Sequence, residues 1–146
     1  MSEISKPNAS QSRGTVVILE DSFPIRNILR FVLEKNNYKV LDFSNGETAW
    51  EYLKINEIED LKLILSDIMM PKLNGIDFVK KLRDEKKLMD IPIIFLTANA
   101  DRDVVLEAKK LRITGYLVKP ITTIRLIELL KKLFPTETFK DVSLDT

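Results

Sequence analysis

The chain has 146 residues, 45% of them hydrophobic and 31% charged, with a formal net charge of +1, which describes a globular domain able to bury a core. No stretch approaches the roughly 20 apolar residues of a membrane span, the first residues lack the apolar centre of a signal peptide, and no basic run is dense enough to grip a nucleic acid. There is no cysteine and no histidine. This excludes disulfides, thiolate chemistry, an imidazole base and a phosphohistidine carried by this chain, and a cytoplasmic location is expected.

In chain order, residues 1–13 are rich in Ser, Asn and Gln and read as a disordered lead-in. "TVVILE" (15–20) is a short, β-branched apolar run and predicts a buried strand. Pro24 opens a helical pattern with Ile25, Ile28, Leu29, Val32 and Leu33 on one stripe. "YKVLDF" (38–43) predicts a second strand, less apolar and therefore nearer a sheet edge. A short helix follows over 46–56, around Ala49, Trp50 and Leu53. "LKLILS" (61–66) is the third strand, and 74–85 a helix facing inward through Ile76, Val79 and Leu82. "IPIIFLT" (91–97) is the fourth strand, 101–111 a helix, "GYLVK" (115–119) the fifth strand and 122–133 the last helix. Pro135 ends it, and 135–146 reads as a short polar tail with no room for an output domain.

Five strands alternating with five helices predict a parallel α/β sheet covered on both faces. Ligands of such sheets sit beyond the carboxyl ends of the strands. The residues found there are Glu20 and Asp21 after strand 1, Asp67 after strand 3, Thr97 and Ala98 after strand 4, and Lys119 and Pro120 after strand 5. Three carboxylates, a hydroxyl and an ammonium thus converge. Two carboxylates 4 Å apart repel by about 4 kcal/mol at an effective dielectric of ~20, a conflict that a cation resolves. Oxygen donors without histidine or cysteine favour a hard cation, Mg²⁺ before Ca²⁺. Mg²⁺ beside a lysine prepares a site for a phosphoryl group.

The pair Glu20-Asp21, "LSDIMMPKLNG" (65–75), "LTA" (96–98) and "GYLVKP" (115–120) together resemble the receiver domain of two-component response regulators. The resemblance covers residues 14–134. It implies a flavodoxin-like (βα)5 three-layer sandwich with strand order 2-1-3-4-5. It implies that Asp67 is the phosphoacceptor, and that Asp21, Asp67 and the backbone carbonyl of Met69 bind Mg²⁺, with Glu20 assisting through a water. Lys119 is then the counter-ion of the phosphoryl group. Thr97 hydrogen-bonds to that group, Tyr116 follows by changing rotamer, and Asn99 tunes the access of water. A sensor histidine kinase or a histidine phosphotransferase is the implied donor. The implied role is a stand-alone, chemotaxis-type signalling switch rather than an enzyme, with no direct contact to nucleic acid or membrane.

Singly, each residue has a plainer reading. Asp67 could cap a loop, the acidic pair could favour a helix dipole, Lys119 could be a surface lysine and Tyr116 packing. Met69 and Met70 read as apolar loop packing, and Trp50 as packing for its helix. Two positions depart from the family pattern. Arg112 stands where a left-handed helix cap favours glycine, and Ile121 where an aromatic residue is common. Rival readings lack residues they need. A cofactor-binding phosphate loop would not carry "EDSFPIR" after strand 1. Aspartate-nucleophile phosphatases and topoisomerase-primase domains want a second Asp where Met69 stands.

At 100° per residue, Val105 and Leu106 fall off the inward stripe of helix 4, formed by Val104, Ala108 and Leu111, and Ile124 sits on the polar arc of helix 5. Val105, Leu106 and Ile124, with Tyr116, are therefore expected to form a contact surface for a protein target or a second copy.

Overall fold

The computed structural model describes residues 12–70, 72–98 and 102–142, over 102–105 as backbone alone. The elements alternate from β1 (Gly14–Leu19) and α1 (Phe23–Lys35) to β2 (Tyr38–Phe43) and α2 (Gly46–Ile55). They continue with β3 (Leu61–Asp67), α3 (Gly75–Arg83), β4 (Ile93–Thr97), α4 (Arg102–Lys110), β5 (Gly115–Val118) and α5 (Thr123–Leu133). All strand pairs are parallel and the order is β2-β1-β3-β4-β5. β2 is an edge strand, and its burial alternates as a half-covered strand requires: Tyr38 and Val40 are buried, Lys39 is exposed. The inner strands β1 and β4 are buried throughout, which is why they read as continuous apolar runs. β4 starts two residues later than the apolar run, because Pro92 has no N–H for the ladder; its carbonyl still accepts from Ile64 N–H at 3.0 Å.

Four helices start on a side-chain cap. Ser22, Asn45, Asn74 and Thr122 each accept from the N–H three residues on, satisfying one of the orphan donors of a first turn. α1 and α5 cover one face of the sheet through Leu29, Val32, Leu33, Leu126 and Leu130. α2, α3 and α4 cover the other through Ala49, Leu53, Phe78, Val79, Leu82 and Ala108. Ile121 is buried in the first layer, so an aliphatic side chain fills the place where an aromatic one is common.

Two features hold the periphery. Arg112 has φ 59, the left-handed conformation that its position after α4 demands, adopted here without glycine. The Arg83 guanidinium donates to five carbonyls, those of Leu88, Met89, Ile91, Leu111 and Arg112, at 2.9 to 3.3 Å. One side chain thus ties the α3–β4 connection to the end of α4.

The stretch after α5, expected as a polar tail, lies back on the domain as far as residue 142. Phe139 and Val142 pack against the α1/α5 layer, and Asn36 Oδ1 accepts from the Lys140 N–H at 2.7 Å while its Nδ2 donates to the Lys140 carbonyl at 3.3 Å. The Phe139 ring stacks on Tyr38 at 6.5 Å and meets the Arg13 guanidinium at 4.7 Å. Arg13 N–H in turn donates to the Asn37 carbonyl at 2.8 Å, so the last described residues of the lead-in are ordered as well. Two apolar side chains and one amide suffice to return a segment whose composition is otherwise polar.

Tyr38 at the base of this strap is 1% exposed, and its hydroxyl has no hydrogen bond among the described residues. Burial, aided by the charge of Glu137, pushes its pKa up to about 12. In the unfolded chain a tyrosine loses its proton near pH ~10. Between these values the unfolded state has ionised and the native state has not. Stability therefore falls as pH rises through this window, by as much as about 2 kcal/mol. Tyr38→Phe is expected to remove that loss and to raise stability at pH 7 by about 1 kcal/mol, since it deletes an unsatisfied buried group. Urea unfolding of both proteins at pH 7 and pH 11 checks this; an equal alkaline loss in the variant contradicts it.

Candidate functional site

The carboxyl ends of β1, β3, β4 and β5 lie side by side, and each delivers one component. β1 ends at Leu19, and the next residue donates its N–H to the Phe43 carbonyl at 3.0 Å, which continues the β1–β2 edge by one bond. The Glu20 side chain turns inward and is fully buried. Its Oε2 accepts from the Ser22 N–H at 3.0 Å, and its Oε1 lies 2.9 Å from Lys119 Nζ in an ion pair without the alignment of a hydrogen bond. Asp21 follows and is exposed.

β3 runs one residue further than its apolar stretch and ends on Asp67, which is 5% exposed. Its Oδ1 accepts from the Met69 N–H at 3.1 Å and its Oδ2 from Lys119 Nζ at 2.9 Å. The β3–α3 loop returns so closely that a Cβ at Gly75 would stand 2.5 Å from the Asp67 carbonyl oxygen; Gly75 N–H bonds to the Ile68 carbonyl at 2.8 Å. This accounts for the glycine in "MPKLNG": only a hydrogen atom fits there. β4 ends on buried Thr97, whose carbonyl accepts from the Lys119 N–H at 2.7 Å and so seats the lysine's backbone at the mouth of the sheet. Tyr116 on β5 is half-buried, in register with Phe95, and packs on the α2/α3/α4 layer; burial raises its pKa.

The electrostatics follow from this geometry. Burial raises the pKa of Glu20, against the pull of the Ser22 N–H and of Lys119. Burial pulls Lys119 down, but its hydrogen bond to Asp67 and its ion pair with Glu20 outweigh it, and the ammonium is held above its ordinary pKa. One ammonium thus faces two buried carboxylates, with Asp21 a third. Oxygens of Glu20, Asp21 and Asp67 all lie within 4.8 Å of one another. Among the described residues, three carboxylates face the one ammonium of Lys119, and one carries an oxygen without an aligned donor, so the site is deficient in positive charge. An all-oxygen donor set of this size fits Mg²⁺.

The predicted residues Glu20, Asp21, Asp67, Thr97 and Lys119 therefore meet at one end of the sheet. Of the remaining expectations, Asn99 lies outside the described residues, and so does the side chain of Val105. Leu106 and Ile124 are exposed, at 48% and 68%. Met70 is buried, but Met69, read as loop packing, has a side chain 78% exposed. The loop turns its amide towards Asp67 and so sends its side chain to solvent. The sequence offers no signal for Arg26. Arg26 donates to the Glu20 carbonyl at 2.7 Å, and no periodicity marks it because its partner is a backbone atom.

The family profile of the response regulator receiver domain matches residues 16–131. The chain belongs to this family. Among relatives of the receiver, it is 36% identical over 108 residues to the chemotaxis protein CheY1 of Helicobacter pylori, which covers 73% of this chain and 86% of that protein. It is 37% identical over 108 residues to the chemotaxis protein CheY homolog of Campylobacter jejuni, covering 73% and 82%. The structure of the chemotaxis response regulator CheY4 of Vibrio cholerae superposes with a TM-score of 0.76 at 28% identity, over 84% of this chain and all of that one. The receiver is accordingly a signalling switch with an acidic, Mg²⁺-fitting pocket rather than a turnover enzyme. Among the described residues no helix is long and apolar enough to cross a membrane.

Proposed function

We propose that Asp67 is the phosphoacceptor of this receiver. The observation that carries the reading is the single ammonium of Lys119, 2.9 Å from Asp67 Oδ2 and 2.9 Å from Glu20 Oε1, beside the third carboxylate of Asp21. Asp21, Asp67 and the Met69 carbonyl would hold Mg²⁺ directly, and Glu20 through a water. When bound, the ion neutralises charge on phosphoryl oxygens.

The chain's own residues do the rest. An Asp67 oxygen forms a bond to phosphorus while the bond from phosphorus to the donor's imidazole nitrogen breaks in line. No base is required, because the carboxylate is already deprotonated. Lys119 leaves its ion pair with Asp67 Oδ2 for the equatorial phosphoryl oxygens. Thr97, at the end of β4 next to Lys119, donates its hydroxyl to the same group, and Tyr116 turns on β5 in response. Donors are a sensor histidine kinase or a histidine phosphotransferase, and the setting is the cytoplasm. Intact mass after incubation with acetyl phosphate, with and without Mg²⁺, tests the reading. One phosphoryl group gained only with the ion supports it, and no gain under either condition rejects it.

Output runs through α4, β5 and α5. Leu106 on α4 and Ile124 on α5 are exposed apolar residues on the two helices that flank β5, and Val105 belongs to the same set by sequence. The target is a protein or a second copy of the chain. Leu106→Ser with Ile124→Ser is expected to weaken phosphorylation-dependent association about tenfold, measured by sedimentation with and without beryllofluoride. Association equal to wild type would assign these residues to the plain surface.

A further inference from the structure

Arg26 occupies an unfavourable place for a cation. α1 begins at Phe23, so Arg26 stands in the first turns of the helix, where the helix dipole favours negative charge and disfavours an arginine. α1 carries no acidic residue in its first turn to compensate. The side chain nevertheless folds back against the helix start. Its Nη1 donates to the Glu20 carbonyl at 2.7 Å, a short charge-assisted bond. The ring of Phe23 lies 5.7 Å from the guanidinium carbon. Phe23 is itself 63% exposed, and the guanidinium is what its ring covers.

The carbonyl that Arg26 holds belongs to the peptide joining Glu20 to Asp21. That peptide is planar, so fixing its oxygen fixes the plane from which Asp21 departs. Every other polar group of Glu20 is already held. Its N–H goes to Phe43, its Oε2 to Ser22 N–H and its Oε1 to Lys119. Asp21 is different, because it is exposed and its carboxylate has no hydrogen bond or ion pair among the described residues. The Arg26–Glu20 bond holds the peptide before Asp21, as the Ser22 N–H bond to Glu20 Oε2 holds the peptide after it.

We propose that Arg26 is a positioning residue for the metal pocket: by clamping the Glu20–Asp21 peptide between its guanidinium and β1, it aims the Asp21 carboxylate at the ion shared with Asp67. Phe23 keeps the guanidinium in place. This rests on the reading of Glu20, Asp21 and Asp67 as the Mg²⁺ pocket, and a control separates the two.

The test is calorimetric titration of Mg²⁺ into the wild type, Asp21→Ala, Arg26→Gln and Arg26→Lys, with thermal unfolding of each in the absence of metal. Arg26→Gln is expected to bind Mg²⁺ roughly tenfold more weakly, the lower range for groups that orient metal ligands, while labelling by acetyl phosphate recovers at saturating Mg²⁺. Arg26→Lys, whose ammonium can still reach the carbonyl, recovers most of the affinity. A purely structural role would lower the metal-free unfolding temperature without this pattern. If the wild type and Asp21→Ala bind Mg²⁺ alike, the pocket reading itself fails. If they differ and Arg26→Gln binds like the wild type, or Arg26→Lys is no better than Arg26→Gln, the positioning role is overturned. Should Arg26→Gln not fold, Phe23→Ala, which leaves the guanidinium but uncovers it, is expected to weaken Mg²⁺ binding about threefold, and wild-type affinity in that variant overturns the proposal.

Discussion

Asp67→Asn is expected to abolish phosphoryl acceptance from acetyl phosphate while the domain remains folded. The substitution is nearly isosteric, and the amide oxygen can still accept the Met69 N–H bond now made by Oδ1 at 3.1 Å. The other position changes character. It faces Lys119 Nζ, now 2.9 Å from Oδ2, and an amide NH₂ there opposes an ammonium. Lys119 keeps Glu20 as its partner, so the pocket loses one carboxylate and not its cation. The net effect on stability is within about 1 kcal/mol, whereas the effect on labelling is complete, because an amide oxygen is no nucleophile at neutral pH. Intact mass after acetyl phosphate with Mg²⁺ decides the point. A normal phosphoryl adduct on the variant would place the acceptor elsewhere.

Lys119→Ala is expected to act on both the resting and the reacting protein. In the resting state it leaves Glu20 and Asp67, both buried, without the ammonium that lies 2.9 Å from each. Removing one partner of a buried pair costs up to several kcal/mol. With 20% of the lysine side chain exposed and solvent at the pocket mouth, a loss of about 1 to 3 kcal/mol is expected. Mg²⁺ should return part of that loss, since it brings positive charge to the same oxygens. During transfer the equatorial phosphoryl oxygens lose a counter-charge, and labelling should slow by about 10²-fold at saturating Mg²⁺. Thermal unfolding with and without Mg²⁺, beside the rate of labelling, separates the two effects. If the variant is as stable as the wild type without metal, the ion pairs are surface-like in energy. If labelling is also unchanged, Lys119 has no part in the transfer.

The elements were legible because each depends on a local period. The buried runs of β1 and β4 and the Leu29, Val32, Leu33 stripe of α1 are patterns over neighbouring residues. The acidic set was legible for a related reason: parallel topology brings all strand ends together, so residues far apart in sequence can be placed by counting. Arg112 belongs here too, since its position after α4 announces a left-handed residue. What stayed hidden has no period. Arg83 and Arg26 find backbone carbonyls, and nothing in "KKLRDEKK" distinguishes the first from its solvated neighbours. Phe139 and Val142 are isolated apolar residues in a polar stretch, and only the ring of Tyr38 and the side-chain amide of Asn36 give them somewhere to go. The outward turn of the Met69 side chain depends on the loop's own backbone.

The five carbonyls gathered by Arg83 give α4 unequal ends. At its C-terminal end, Leu111 and Arg112 are bolted through one planar cation to Leu88, Met89 and Ile91. Freeing it would strand several carbonyls and a half-buried charge together, a cost of several kcal/mol. The helix is therefore a lever with a fixed fulcrum near Lys110. Any displacement of α4 is then smallest beside Arg83 and grows with distance from it. Exposed Leu106, at mid-lever, converts rotation into a lateral shift of the surface it offers.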